Sequence, residues 1–222
     1  MTLKHSTIIT FLLSIATLLV AIHTGILIAY YQINNPEVFD FVRMFDLDME
    51  RNIPTLFSSL LLALGSLLFY LISLTDNANM EKNYWRGLSV VFIFLAFDES
   101  AKIHEQIGDY VEKYVHLDGY FYYPWVLVYG FCIILLAIIY MKFFWSMPRK
   151  VFWSFMGAAA LYLTGAIVFD MIGGNEASQH GTTTIFYSIY YTIEESLEML
   201  GSIYLISILL KLLKQQTIIF SN

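Results

Sequence analysis

Two short stretches carry most of the side chains in this 222-residue chain that could do chemistry. The first, FLAFDESAKIHEQIG, holds Asp98, Glu99, Lys102, His104 and Glu105; the second, IFYSIYYTIEESLEMLG, holds Glu194, Glu195 and Glu198. Laid on a helix at about 100° per residue, Asp98, Lys102 and Glu105 fall on one stripe, with Glu99 and His104 leaving it on opposite sides. The three glutamates share an arc of about 100°. Asp170 and His23 lie inside other apolar runs, and Glu176 and His180 come after the Gly173-Gly174 pair. Crowded carboxylates in a low dielectric cannot all stay ionised unless protons or cations compensate them.

Carboxylate and imidazole without thiolate suit Zn²⁺, Fe²⁺ or Mn²⁺, whereas carboxylate and water alone suit Ca²⁺ or Mg²⁺. The candidate ligands are Asp98, His104, Glu105, Asp170, Glu194, Glu198, His23 and His180. Glu99 and Glu195 are the candidate general bases. Acids on facing helices together with histidine follow the logic of a di-metal bundle, but no Glu-x-x-His occurs. The HExxH of zincins, an HxxxH pair, Gly-x-Ser-x-Gly and any phosphate, nucleotide or flavin motif are likewise missing. The single cysteine, Cys132, excludes an internal disulfide and a thiolate zinc site. Haem held between His23 and His104 is disfavoured by the surrounding acids.

Plainer readings compete for several of these groups. Asp98 and Lys102 read as an i,i+4 acid–base pair that neutralises itself on one helix. His23 alone reads as a hydrogen-bonded core histidine. Asp46, Asp48, Glu50, Asp109, Glu112 and Asp118 read as solvated loop charges, and DLDMERN lacks the length, glycine and distal glutamate of an EF-hand. The intramembrane acids could also form a purely structural proton-sharing network. Tyr190 and Tyr191 stand next to the glutamates and could donate into the site, while the other aromatics read as interfacial belts.

The elements that position these residues are set by composition. The chain is 58% apolar and 14% charged, far from the soluble norm of about 50% and 25%. A bilayer core needs about 20 apolar residues as helix, and six stretches qualify: about 7–31, 54–74, 84–107, 121–145, 149–173 and 184–213. The fold class is therefore all-α, one six-helix transmembrane domain over 1–222. Asn52 or Ile53 caps the second span with Pro54 in its first turn, Gly173-Gly174 ends the fifth, and Gly157 and Gly165 allow close packing. No proline interrupts a span, so broken helices of the transporter type have no support. The length of the first span and its lack of a cleavage site favour a retained helix over a signal peptide.

Lysine and arginine place eight charges on one side and three on the other, with Lys102 inside the third span, which puts both termini in the cytoplasm of a bacterial inner membrane. Of the eighteen acids only Asp76 and Glu81 fall on the inner side. The polar chemistry is gathered at the outer end. Net charge of −6 and the absence of a basic run exclude nucleic acid as a partner.

The pattern DES-x3-HE in the third span with EESLEMLG in the sixth resembles a group of uncharacterised six-span bacterial inner-membrane proteins. Histidines plus acids at one membrane face are also loosely similar to membrane zinc hydrolases of the alkaline ceramidase and adiponectin-receptor type, although seven spans and a terminal HxxxH are missing here. That similarity implies metal-activated water attacking a lipid-like substrate. The opposing function class is a cation or proton transporter using the same acids, against which the inner halves of the spans carry almost no polar group. A structural or accessory membrane subunit is the third; it explains the size but not the acids.

Overall fold

The computed structural model describes residues 4–33, 43–49, 51–75 and 81–219, with side chains as far as residue 214. Among these residues the fold is all-α. The helices are α1 (His5–Ile33), α2 (Ile53–Ser73), α3 (Lys82–Ala101), α4 (Ile103–Glu112), α5 (Trp125–Trp145), α6 (Arg149–Leu163), α7 (Asp170–His180) and α8 (Ile185–Ile219). A π-helical segment, Thr164–Phe169, joins α6 to α7 into one helix from 149 to 180. Among the described residues, five helical stretches are long and apolar enough to cross a bilayer: His5–Gln32, Ile53–Ser73, Trp125–Trp145, Arg149–His180 and Ile185–Lys214. The span expected over 84–107 is not one of them, because α3 carries Lys82 and Arg86 at one end and Asp98 and Glu99 at the other. Glu50 and Asp76 lie outside the described residues.

α8 is the centre of the packing. Ile206 and Leu209 are fully buried and Met199 and Ile203 nearly so, and the helix touches α1, α2 and the 149–180 helix. Two close approaches set its crossing with the last of these. A Cβ on Gly165 would sit 2.6 Å from the Glu194 carbonyl oxygen, and one on Gly201 would sit 2.7 Å from the Tyr162 amide nitrogen. Only glycine lets the backbones meet so closely. Gly165 was legible as a packing glycine; Gly201, on the opposite helix, was not.

α2 starts as expected, with Asn52 Oδ1 accepting from the Thr55 amide at 3.1 Å and Pro54 in the first turn. α3 lies antiparallel beside α2 in a fixed register. Ser59 Oγ donates to the Ala96 carbonyl and Ser66 Oγ to the Ser89 carbonyl, each at 2.7 Å. α5 is held mainly by its ends. At its C-terminal end Tyr140 OH donates to the Tyr84 carbonyl, and Phe143 stacks on Tyr84 with centroids 4.9 Å apart. At its N-terminal end Trp125 meets the His104 ring and lies over Gly108.

Two sequence expectations are corrected. The helix over 84–107 is broken at Lys102, whose φ of 57° and ψ of 42° are left-handed. Gly173-Gly174 does not end the fifth span: the helix runs on to His180 and stops before Gly181, at φ 84°. The paired glycines instead clear room for aromatic neighbours, Tyr187 and Tyr190 beside Gly173, Tyr122 and Tyr123 beside Gly174.

Candidate functional site

The break at Lys102 decides how the first acidic stretch is used. A left-handed residue turns the chain, so Asp98 and Lys102 no longer sit four residues apart on one regular helix. Lys102 Nζ donates to both carboxylate oxygens of Glu105 at 3.1 Å. Asp98 Oδ1 accepts from the His104 amide at 2.7 Å and lies 3.2 Å from His104 Nδ1. Lys102 has no side-chain oxygen with which to cap α4, and the Asp98 carboxylate supplies the missing acceptor at its start. The same bond fixes the orientation of the imidazole, which packs edge-on against Trp125 and Tyr129.

A cavity of about 1200 Å³ opens between α3, α4, α5, the 149–180 helix and α8. Asp98, Glu99, His104, Glu105, Asp170, Glu194, Glu195 and Glu198 all line it, so eight of the ten sequence candidates are brought to one space. Its described lining carries ten carboxylates against Lys102 and His104, an excess of negative charge that only protons or added cations can offset. The π segment matters here. One extra residue in a helical turn rotates the remainder of the helix by about 100°, and Asp170 is the first residue after it. Asp170 is 9% exposed, and its Oδ2 has no hydrogen-bond partner. Asp170, Glu194 and Glu198 lie within electrostatic reach of one another, with His104 close to Asp170 and Glu198.

Tyrosines do much of the local work, and most were not legible. Tyr162 faces Glu198. Tyr129 OH is buried facing Asp98, in a geometry that completes no hydrogen bond. Tyr187 OH donates to Asp48 Oδ1 at 2.8 Å, and its proton being committed there, Tyr123 OH must donate to Tyr187 across 3.0 Å. Tyr191 lies against Asp46 and Asp48. Asp46 and Asp48 are therefore not solvated loop charges. Asp46 is 8% exposed, and both acids tie the 46–49 segment to Tyr187 and Tyr191, one helical turn apart on α8. The DLD spacing and the tyrosine i,i+4 spacing were the available signal. Asp48 is exposed as a residue, yet its carboxyl turns inward, and loss of hydration raises it to about 6, with Tyr187 pulling it back and Asp46 pushing it up.

Two candidates stand elsewhere. His23, 1% exposed, accepts from the Leu47 amide at Nδ1, 3.2 Å, so the ring proton sits on Nε2 and is given to Thr192 Oγ1 at 3.1 Å. Both nitrogens are engaged, with Asp46 3.5 Å from Nδ1. This is the core-histidine arrangement, and it leaves no lone pair for a metal. His180 pairs with Glu176 at 3.3 Å on the exposed end of α7, in a separate shallow pocket that Tyr190 also lines. Among the described residues no three histidine, cysteine, aspartate or glutamate side chains are already drawn together as metal ligands.

The profile of one protein family, described as a domain of unknown function (DUF8692), matches residues 9–213, nearly the whole chain. The chain belongs to this family. No curated protein and no solved structure matches it significantly. Within this DUF8692 chain, the site therefore stands on its own geometry.

Proposed function

We propose that the protein is a six-span inner-membrane protein with both termini cytoplasmic, whose acid-lined cavity binds a divalent cation and uses it to hydrolyse a lipid-like substrate. The fixed register of α3 against α2 supports a sixth crossing, because residues 89–96 then lie at the depth of 59–66. The observation that carries the cation is Asp170. A carboxylate oxygen buried without a partner, facing a cavity with ten acids and two bases, lacks a positive counterpart that a cation supplies. The open, oxygen-rich lining suits Mn²⁺ holding several waters better than a closed tetrahedral Zn²⁺ site. Asp98, Asp170, Glu194 and Glu198 would hold the hydrated ion, with His104 and Glu105 beside them. A bound ion would supply an acidified water as nucleophile for the scissile carbonyl or phosphorus, and Glu99 or Glu195 would take its proton. That proton then passes to the leaving group.

The test is Mn²⁺ titration of chelator-stripped, detergent-purified protein, read by electron paramagnetic resonance. One ion per chain is expected, with affinity about tenfold or more weaker in Asp170→Asn and Glu194→Gln, the loss of about 1.4 kcal/mol each. Absence of binding, or equal binding by wild type and both variants, overturns the proposal. Mn²⁺ flux into proteoliposomes that is lost in Glu194→Gln would overturn hydrolysis in favour of transport.

A further inference from the structure

The cavity has two chemically different halves, and the inner one has no use in cation binding. Below the acids its walls are Leu88, Phe92, Ile133, Leu136, Met156 and Ala159, and Phe144 and Phe155, with ring centroids 5.3 Å apart, lie at its inner end. From Asp98 to Leu88 along α3 is about 15 Å, and from Asp170 to Phe155 about 22 Å, at 1.5 Å per residue. We infer that this inner half is an alkyl-chain site, holding the tail of a membrane amphiphile whose polar head stands at the carboxylates and whose length is measured against Phe144 and Phe155. With C–C bonds of about 1.5 Å shortened by their zigzag, the distance suits a chain of roughly 12 to 18 carbons. The total volume exceeds the roughly 300–1,000 Å³ of sites for small compact ligands.

The chain reaches its site from the side. α5 is held by aromatic contacts at its two ends, and Val128, Tyr129, Cys132, Ile133 and Leu136 of its middle face the cavity. Cys132 is exposed, and it lines the same space. A chain lying in the bilayer meets this apolar wall without crossing water, whereas the acids admit only a polar or cationic group. The head's orientation rests on the proposed cation site; capture of the chain does not.

Cys132 makes the site measurable in the intact protein. In lipid nanodiscs containing EDTA, alkylation of Cys132 by N-ethylmaleimide is tracked by intact mass, with alkylphosphocholines of 8, 12, 16 and 20 carbons as competitors. At about four times the Kd, four-fifths occupancy slows alkylation about fivefold. The 12- and 16-carbon chains are expected to reach this at the lowest concentrations. Ala159→Phe, and the milder Ala159→Leu in case the larger ring disturbs folding, should shift the optimum to shorter chains. A cysteine at Ile138 on the outward face of α5, in a Cys132→Ser background, should show no protection. Protection without length preference, or equal protection at 138, overturns the proposal, as does none at any length. Because EDTA is present, protection here with failed Mn²⁺ titration would remove the cation site and keep the chain site; the reverse result would remove the chain site alone.

Discussion

Asp48 gives the most direct electrostatic prediction. Its carboxyl is raised from an ordinary value near 3.8 to about 6 by lost hydration first, then by Asp46 and Glu105, against the opposing pull of the Tyr187 hydrogen bond and Lys102. A carboxyl raised in the folded state binds its proton more tightly there than in the unfolded chain. Folding therefore carries no penalty from Asp48 below about pH 4, and the penalty grows as pH rises through 6. Undiluted, that displacement is worth about 3 kcal/mol. The residue still meets water on one side, so about 1 kcal/mol is the realistic figure. Asp48→Asn keeps an acceptor for Tyr187 and removes the charge. At about 2–4 °C per kcal/mol for a chain of this size, the variant should melt about 2–4 °C above wild type at pH 7 and only about 1 °C above it at pH 4.5, where about a third of the penalty remains. The assay is detergent-phase thermal melting across pH 4.5 to 7.5 with EDTA, so that no cation masks the charge. A difference that is flat with pH, or that favours wild type at pH 7, would refute the reasoning.

The break at Lys102 makes a conformational prediction. Left-handed backbone costs a non-glycine residue about 1–2 kcal/mol, while the surface pair with Glu105 is worth about 0–1 kcal/mol. Lys102→Gly should therefore melt about 2–8 °C above Lys102→Ala and close to wild type; the opposite order would mean the turn is not left-handed in solution. Topology is read by an impermeant thiol reagent added from outside to whole cells in a Cys132→Ser background. A cysteine at Gln179 should react and one at Pro148 should not, since the two lie at opposite ends of the 149–180 helix; labelling at 148 would invert the orientation.

How far the sequence disclosed the fold depends on which force set each feature. Apolar run length located four of the five candidate membrane helices to within a few residues, and the polar cap and proline at Asn52-Pro54 located a start, because hydration and capping act locally. Eight of ten candidate residues reached one cavity for the same reason: acids expelled from lipid on several helices have only each other's space to enter. Histidine assignments fared worse. His23 is spent on a backbone amide of a loop twenty-four residues away, a partner no periodicity reveals. Asp48 reads in sequence as a solvated charge because its neighbours there are polar, although its partner, Tyr187, is on the last helix.

The features that were illegible share a physical character. Lys102 is left-handed without being glycine, 164–169 is π-helical without proline, and Gly201 matters only because Tyr162 comes opposite. The first two are departures from α-helical regularity and the third is a glycine inside a regular helix; each costs free energy locally and is held by surrounding structure. All three border the same cavity. The turn at Lys102 hands Asp98 to His104, the π segment sets the phase of Asp170, and the Gly165 and Gly201 contacts draw α8 close enough for Glu194 and Glu198 to meet Asp170. A bundle that needed only to fill a membrane would have had regular helices available at no such cost. Irregularities that converge on one acid-lined space are what a binding site, rather than a packing compromise, would retain.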